Sequence, residues 1–153
     1  MKTLKKLLIQ TSLVLISAFA LGQNALAQTT SRLVFDARVT QKQNVNYSQL
    51  FSINPDGSGQ TQLTSANANN WTPAWSPGQQ YIAFRRDGVG INVMEAKGET
   101  YGGRSFWVGP GFEPDWSPDG TMIVFRNTGG LYLVSVNASL GTAGTPVFFA
   151  PDG

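Results

Sequence analysis

The residue types that most often carry chemistry are missing from this chain. It has no histidine and no cysteine, which removes the commonest general base, the commonest metal ligand and the thiolate nucleophile. Serine–histidine–acid and cysteine–histidine arrangements and histidine-based zinc sites are thereby excluded, and no disulfide can staple the fold. Carboxylates remain. Glu113 and Asp115 stand two apart, so on a strand both point to one face. Glycoside chemistry needs two carboxyl groups flanking a substrate in a cleft, which two neighbours on one strand do not provide. Asp56 and Asp119 are single acids in turn sequences, where a dedicated calcium loop gathers several oxygen donors. They are read as turn caps. No catalytic residue, metal or cofactor is assigned.

The other chemistry on offer is recognition. Asn67, Asn69, Asn70 and Trp71 fall in one segment, Phe112 and Glu113 in another, and Gln41, Gln43, Asn44 and Asn46 in a third. Polar amides beside aromatics on connecting segments are the ingredients of a binding surface, though solvated linkers share that composition. The candidate binding residues are Gln43, Asn44, Asn67, Asn69, Asn70, Trp71, Phe112 and Glu113, with Trp71 and Phe112 as anchors.

What must position these residues is an internal repeat. Pro73-Ala74-Trp75-Ser76-Pro77-Gly78 recurs as Pro114-Asp115-Trp116-Ser117-Pro118-Asp119-Gly120 at an offset of 41. Tyr81-Ile82-Ala83-Phe84-Arg85 recurs as Met122-Ile123-Val124-Phe125-Arg126, and Phe106-Trp107-Val108-Gly109-Pro110 as Val147-Phe148-Phe149-Ala150-Pro151, at the same offset of 41. Leu50-Phe51-Ser52-Ile53 matches Ile91-Asn92-Val93-Met94, and Leu131-Tyr132-Leu133-Val134 follows after 40. An earlier copy of the Phe84 strand is Leu33-Val34-Phe35, at an offset of 49, so the first copy carries about eight extra residues between Val39 and Ser48. The apolar runs read as strands buried on both faces. Ser-Pro-Asp-Gly is turn chemistry: Pro presets φ, Asp caps locally and Gly accepts a positive φ. No segment after the N-terminal region shows a helical period. Short strands in fours, repeated about every 41 residues, predict an all-β fold of four-stranded antiparallel β-propeller blades. The blades are placed at about 32–65, 72–109 and 113–150.

Recurrence also sorts residues by role. Trp75 and Trp116 hold equal places in successive copies, which predicts packing between blades. Arg85 and Arg126 follow the buried strand, where ion pairing or a solvated face is expected.

The N-terminus reads differently. Lys2, Lys5 and Lys6 precede the short apolar run Leu13 to Leu21, and Ala25-Leu26-Ala27 fits the small-x-small cleavage pattern. Residues 1–27 are read as a signal peptide and Gln28 as the first mature residue. The apolar run is too short to span a bilayer. The three lysines account for the excess of 11 Lys+Arg over 9 Asp+Glu, so beyond Ala27 no basic stripe remains to suggest a nucleic-acid partner.

The segment Pro114 to Phe125, PDWSPDGTMIVF, resembles the repeat of TolB-type (WD40-like, PD40) propellers. Asn54-Pro55-Asp56-Gly57-Ser58-Gly59-Gln60-Thr61-Gln62-Leu63-Thr64 is similar to that family's NxDGSGxxxLT segment. The second copy departs from it with Gly78-Gln79 where Asp-Gly is usual. The resemblance implies a periplasmic or extracellular location and a binding role toward a protein or cell-envelope component. The extra N-terminal domain such proteins carry is not seen in this sequence.

The first copy lacks a recognisable inner strand, leaving eleven strands in under three full blades. Three readings stay open: a truncated or partial propeller, a homodimer completing a six-bladed ring, and an open monomer. For function, an exported non-catalytic binding module is expected. The alternatives are an accessory domain of a hydrolase or peptidase, although no Gly-x-Ser-x-Gly elbow occurs here, and a propeller-based enzyme.

Overall fold

The structure, a computed structural model, describes residues 31–40 and 45–151. The proposed signal peptide, Gln28, Gln41, Gln43 and Asn44 lie outside the described residues.

Among the described residues twelve strands form three antiparallel sheets. The first holds β1 (Leu33–Thr40), β2 (Asn46–Ile53) and β3 (Thr61–Gln62) in chain order. The second holds β4 (Asn70–Trp75), β5 (Tyr81–Arg86), β6 (Gly90–Glu95) and β7 (Ser105–Gly109), again in chain order. The third holds β8 (Phe112–Trp116), β9 (Met122–Asn127), β10 (Gly130–Asn137), β11 (Thr142–Ala143) and β12 (Val147–Pro151). These are up-and-down propeller blades, and among the described residues they do not close a ring.

The extra residues of the first copy lengthen a hairpin. β1 and β2 pair from Leu33↔Ile53 to Thr40↔Asn46, two residues longer per strand than β5 and β6. The third sheet differs from the four-strand expectation. Its outer position is shared by two pieces: β11 pairs β10 at Val136 and Asn137, and β12 pairs it from Gly130 to Leu133. β10 is eight residues long, enough to carry both. A 3-10 turn at Glu99–Tyr101 interrupts the link from β6 to β7.

The continuous apolar runs are explained by a core on each side of the middle sheet. Ile82, Phe84 and Met94 join Leu50 and Leu63 of the first sheet. Ala83, Ile91, Val93 and Val108 join Trp116, Ile123, Phe125, Val134 and Val136 of the third. Alternate side chains of one strand therefore serve two interfaces. The first strand lacks this enclosure, and Leu33 is 55% exposed.

The Trp75 and Trp116 positions pack between sheets, as their recurrence predicts. Trp116 is buried, and its Nε1–H donates to the Ala74 carbonyl of the preceding inner strand at 3.2 Å. The turns follow their sequences. Asp119 accepts from the N–H of Thr121 at 3.0 Å and the hydroxyl of Ser117 at 2.5 Å. Asp56 accepts from the N–H and hydroxyl of Ser58 at 2.9 and 2.7 Å. Both carboxylates are engaged in their own turns.

Candidate functional site

The two ends of the sheets differ in chemistry. One carries the stereotyped turns between β4 and β5 and between β8 and β9. The other carries the β1–β2, β5–β6 and β9–β10 hairpins and the entries into β4 and β8. A cavity of about 690 Å³ opens at this second end, lined by Asp36, Trp71, Thr72, Arg85, Phe112, Glu113, Arg126, Asn127, Thr128 and Gly129.

The backbone shapes it by breaking two ladders at the same point. The β4–β5 pairing shifts register between Trp71 and Ala74, and the β8–β9 pairing between Phe112 and Asp115. Within these bulges Thr72 and Glu113 adopt left-handed φ values of 49° and 51°, which side-chain-bearing residues rarely take. The two are 41 residues apart, as are Trp71 and Phe112. A proline follows each, at 73 and 114, and supplies no N–H to the ladder. Trp71 meets Arg85, its cross-strand partner in the same sheet, and Phe112 of the third sheet meets the same Arg85 from the neighbouring blade.

Arg85 occupies the gap between the rings. Its guanidinium carbon lies 4.7 Å from the centroid of Trp71 and 4.5 Å from that of Phe112. A cation between two π faces is held electrostatically, by roughly 0.5–1 kcal/mol per ring where solvent reaches it. One of its nitrogens also lies 3.5 Å from Asp87. On the third sheet Arg126 pairs with Glu113 at 3.4 Å. On the first, Asp36 accepts the N–H of Thr72 at 3.3 Å.

Not every candidate from the sequence reaches this cavity. Trp71, Phe112 and Glu113 line it, at the beginnings of strands rather than in the links before them. Asn67 is exposed in the link before β4. Asn69 is half-buried, and its Oδ1 accepts the N–H of Ser48 at 2.9 Å. Asn70 is fully buried and cannot present itself to a partner. Its Nδ2 donates to Gln49 at 3.1 Å and to the Ala68 carbonyl at 3.2 Å, and its Oδ1 accepts from Arg86 at 2.9 Å. Arg86 continues to Glu99 at 2.6 Å, and Thr64 donates to Gln49 at 2.7 Å. This buried polar network joins the first two sheets, which is why an amide stands at position 70.

Asp36 and Arg85 line the cavity although neither is among the binding residues assigned from sequence, where Arg85 is expected to pair with an ion or face solvent. The signal that finds them is the repeat itself: Asp36, Arg85 and Arg126 occupy one position in successive copies, at offsets of 49 and 41. In the first two copies that position meets the bulge of the following inner strand, Asp36 at Thr72 and Arg85 at Phe112.

Among the described residues no group of three or more His, Cys, Asp or Glu side chains could hold a metal ion. No helix of the described residues is long and apolar enough to cross a membrane.

No family model matches the chain, and no curated protein matches it. Among solved structures it is similar to the crystal structure of TolB from Acinetobacter baumannii, with a TM-score of 0.48 and 21% sequence identity. That similarity covers 74% of this chain and 29% of the TolB chain, so this chain spans less than a third of the length of that relative.

Proposed function

We propose that the chain is an exported, non-catalytic binding module that engages a protein or cell-envelope partner through the bulged end of its sheets. The observation that carries this is the Trp71–Arg85–Phe112 stack at the mouth of the cavity. Aromatic rings and arginine are the side chains most often found at the energetic centre of interfaces. Here they are held by two bulges and a pair of prolines, so little ordering entropy remains to be lost on binding. The acids of this cavity are set against an arginine or a backbone N–H, Glu113 against Arg126 and Asp36 against Thr72. The resemblance of the repeat to TolB-type propellers supports the periplasmic or extracellular location.

The test is the double substitution Trp71→Ala with Phe112→Ala, assayed by cross-linking and capture from cell-envelope extract, with captured proteins identified by mass spectrometry. The expected result is a folded variant that loses the partners taken by the parent protein. Equal capture by a folded double variant overturns the assignment of the face.

A further inference from the structure

We infer that the junction between the second and third sheets is a carboxylate site, entered by a carboxylate of a bound peptide. The inference rests on the reading of the bulged end as the binding face and names the partner chemistry of that same cavity.

The chain contains its own template for such a site. At the junction of the first and second sheets, a carboxylate from a strand of one sheet meets the bulge of the next: Asp36 accepts the N–H of Thr72 at 3.3 Å. At the following junction the bulge is repeated. Glu113 has the φ of Thr72, 51° against 49°, and likewise stands outside the ladder pairs. Its N–H is therefore presented as that of Thr72 is. The residue opposite has changed, however. The counterpart of Asp36 is Arg85, which donates hydrogen bonds and accepts none. On this reading two donors meet where the first junction holds a donor and an acceptor, and the carboxylate already near Arg85 is that of Asp87, at 3.5 Å. An acceptor brought from outside completes the pattern.

A carboxylate fits this space better than other anions. The guanidinium of Arg85 is planar, is held in place between two rings, and offers a fork that pairs with two carboxylate oxygens. The rings of Trp71 and Phe112 provide apolar surface for the aliphatic stem that carries the carboxylate. The charges facing the cavity oppose a dianion such as a phosphate monoester. Asp36 and Glu113 in the cavity wall match Arg85 and Arg126 in charge, and Asp87 beside Arg85 adds one further negative charge, so a second added negative charge is opposed more strongly than a first. The Glu113–Arg126 pair is 3.4 Å long, with both side chains about half exposed. Pairs of this kind contribute little.

The peptide carboxylate is that of an Asp or Glu side chain or of a chain terminus, and the experiment separates these. Isotope-labelled protein is titrated with three probes while the Glu113 amide and Trp71 indole resonances are followed. The probes are N-acetyl-glutamate N-methylamide, N-acetyl-alanine and the neutral N-acetyl-glutamine N-methylamide. One or both acids are expected to move the Glu113 amide, with the glutamine probe at least about tenfold weaker. Arg85→Gln is expected to abolish that preference. Arg85→Asp supplies the acceptor internally, as Asp36 does, and is expected to shift the Glu113 amide without any probe and to exclude the acids. Equal response to the acid and glutamine probes overturns the inference, as does an Arg85→Asp variant that is folded with an unshifted Glu113 amide. If carboxylates fail while partner capture still depends on Trp71 and Phe112, this inference falls and the binding-module reading stands. If capture is indifferent to both rings, the reading itself falls.

Discussion

The indole of Trp116 crosses from the third sheet to donate its Nε1–H to the carbonyl of Ala74 in the second, at 3.2 Å. This bond fastens the inner strands of adjacent blades where the core cluster of Ala83, Ile91, Val93 and Phe125 is assembled. Trp75, its counterpart in the second blade, packs against the cluster built from Leu50, Leu63, Ile82, Phe84 and Met94, and its Nε1 is buried without an acceptor. The two tryptophans share a role in packing but differ in polar satisfaction.

Trp116→Ala is accordingly expected to destabilise the fold by about 3–5 kcal/mol, the cost of emptying a buried large aromatic site. Trp116→Phe keeps most of the apolar contact and loses the bond to Ala74, at about 1 kcal/mol. At position 75, Trp→Phe removes an unpartnered donor and is expected to be close to neutral. Urea unfolding of the three variants measures this, and a loss below about 0.5 kcal/mol for Trp116→Ala, typical of a surface site, contradicts the packing role.

Thr72 is a β-branched residue at a φ of 49°, a conformation that costs such residues on the order of 1–3 kcal/mol. Thr72→Asn keeps a backbone N–H for Asp36 and tolerates the left-handed region better. A rise in stability of about 1 kcal/mol is expected, read as a higher melting temperature. A drop instead would show that the threonine side chain itself holds the bulge.

Gly130 lies at a φ of 151° with its α-carbon against the backbone of Ala150 and Pro151. A methyl group there would meet the Ala150 carbonyl, so Gly130→Ala is expected to push β12 away from β10. The outer strand then frays: proteolysis after Phe148 or Phe149 should accelerate while the middle sheet stays intact. Unchanged cleavage would show that the edge absorbs the methyl group.

Three carboxylates are held below their usual range. In Asp119 the Ser117 hydroxyl is the main cause, followed by the N–H and hydroxyl of Thr121. In Asp56 it is the hydroxyl and then the N–H of Ser58. In Glu95 it is the hydrogen bond from Arg104, with Lys97 adding to it. Each favours the charged form in the folded state. Its contribution is therefore complete above the unfolded-state value, near pH ~4, and is lost as pH falls through the lowered folded value. Stability should decline below about pH 4, and more shallowly in Asp119→Asn. An identical acid limb in that variant would remove the turn from the explanation.

Export makes its own prediction. Mass spectrometry of the secreted or periplasmic fraction should find a chain beginning near Gln28. An intact Met1 terminus confined to the cytoplasm contradicts it.

Much of the fold was legible because the repeat carries it. The matched run Ile82-Ala83-Phe84 became a strand buried on both faces, whereas in Ile123-Val124-Phe125 the middle residue is only half-buried because no further sheet covers its face among the described residues, and Ser117-Pro118-Asp119-Gly120 became the turn its residues specify. The shared outer edge of the third sheet was not legible, since β11 is two residues long and two residues carry no period. The cavity was half legible. Trp71 and Phe112 stand out as aromatics among amides, but the left-handed bulges have no glycine to announce them. Arg85 looks like any strand-end cation until the rings on either side are placed. Asn70 misleads for a related reason: an amide among amides gives no sign that it is turned inward.

The uneven enclosure of the second strands has a dynamic consequence. Ile82, Ala83 and Phe84 in β5 are 0% exposed, whereas Leu33 in β1 is 55% exposed. Local opening costs least where few apolar contacts are broken, so β1 amides should exchange with solvent sooner than β5 amides. The cavity straddles this gradient: Asp36 stands on the readily opened strand, while Arg85 and Phe112 stand on firmer ones. An occupant touching both walls ties the looser sheet to the tighter one. Slowed exchange in β1, with β5 unchanged, would then report occupancy of a site that β1 only borders.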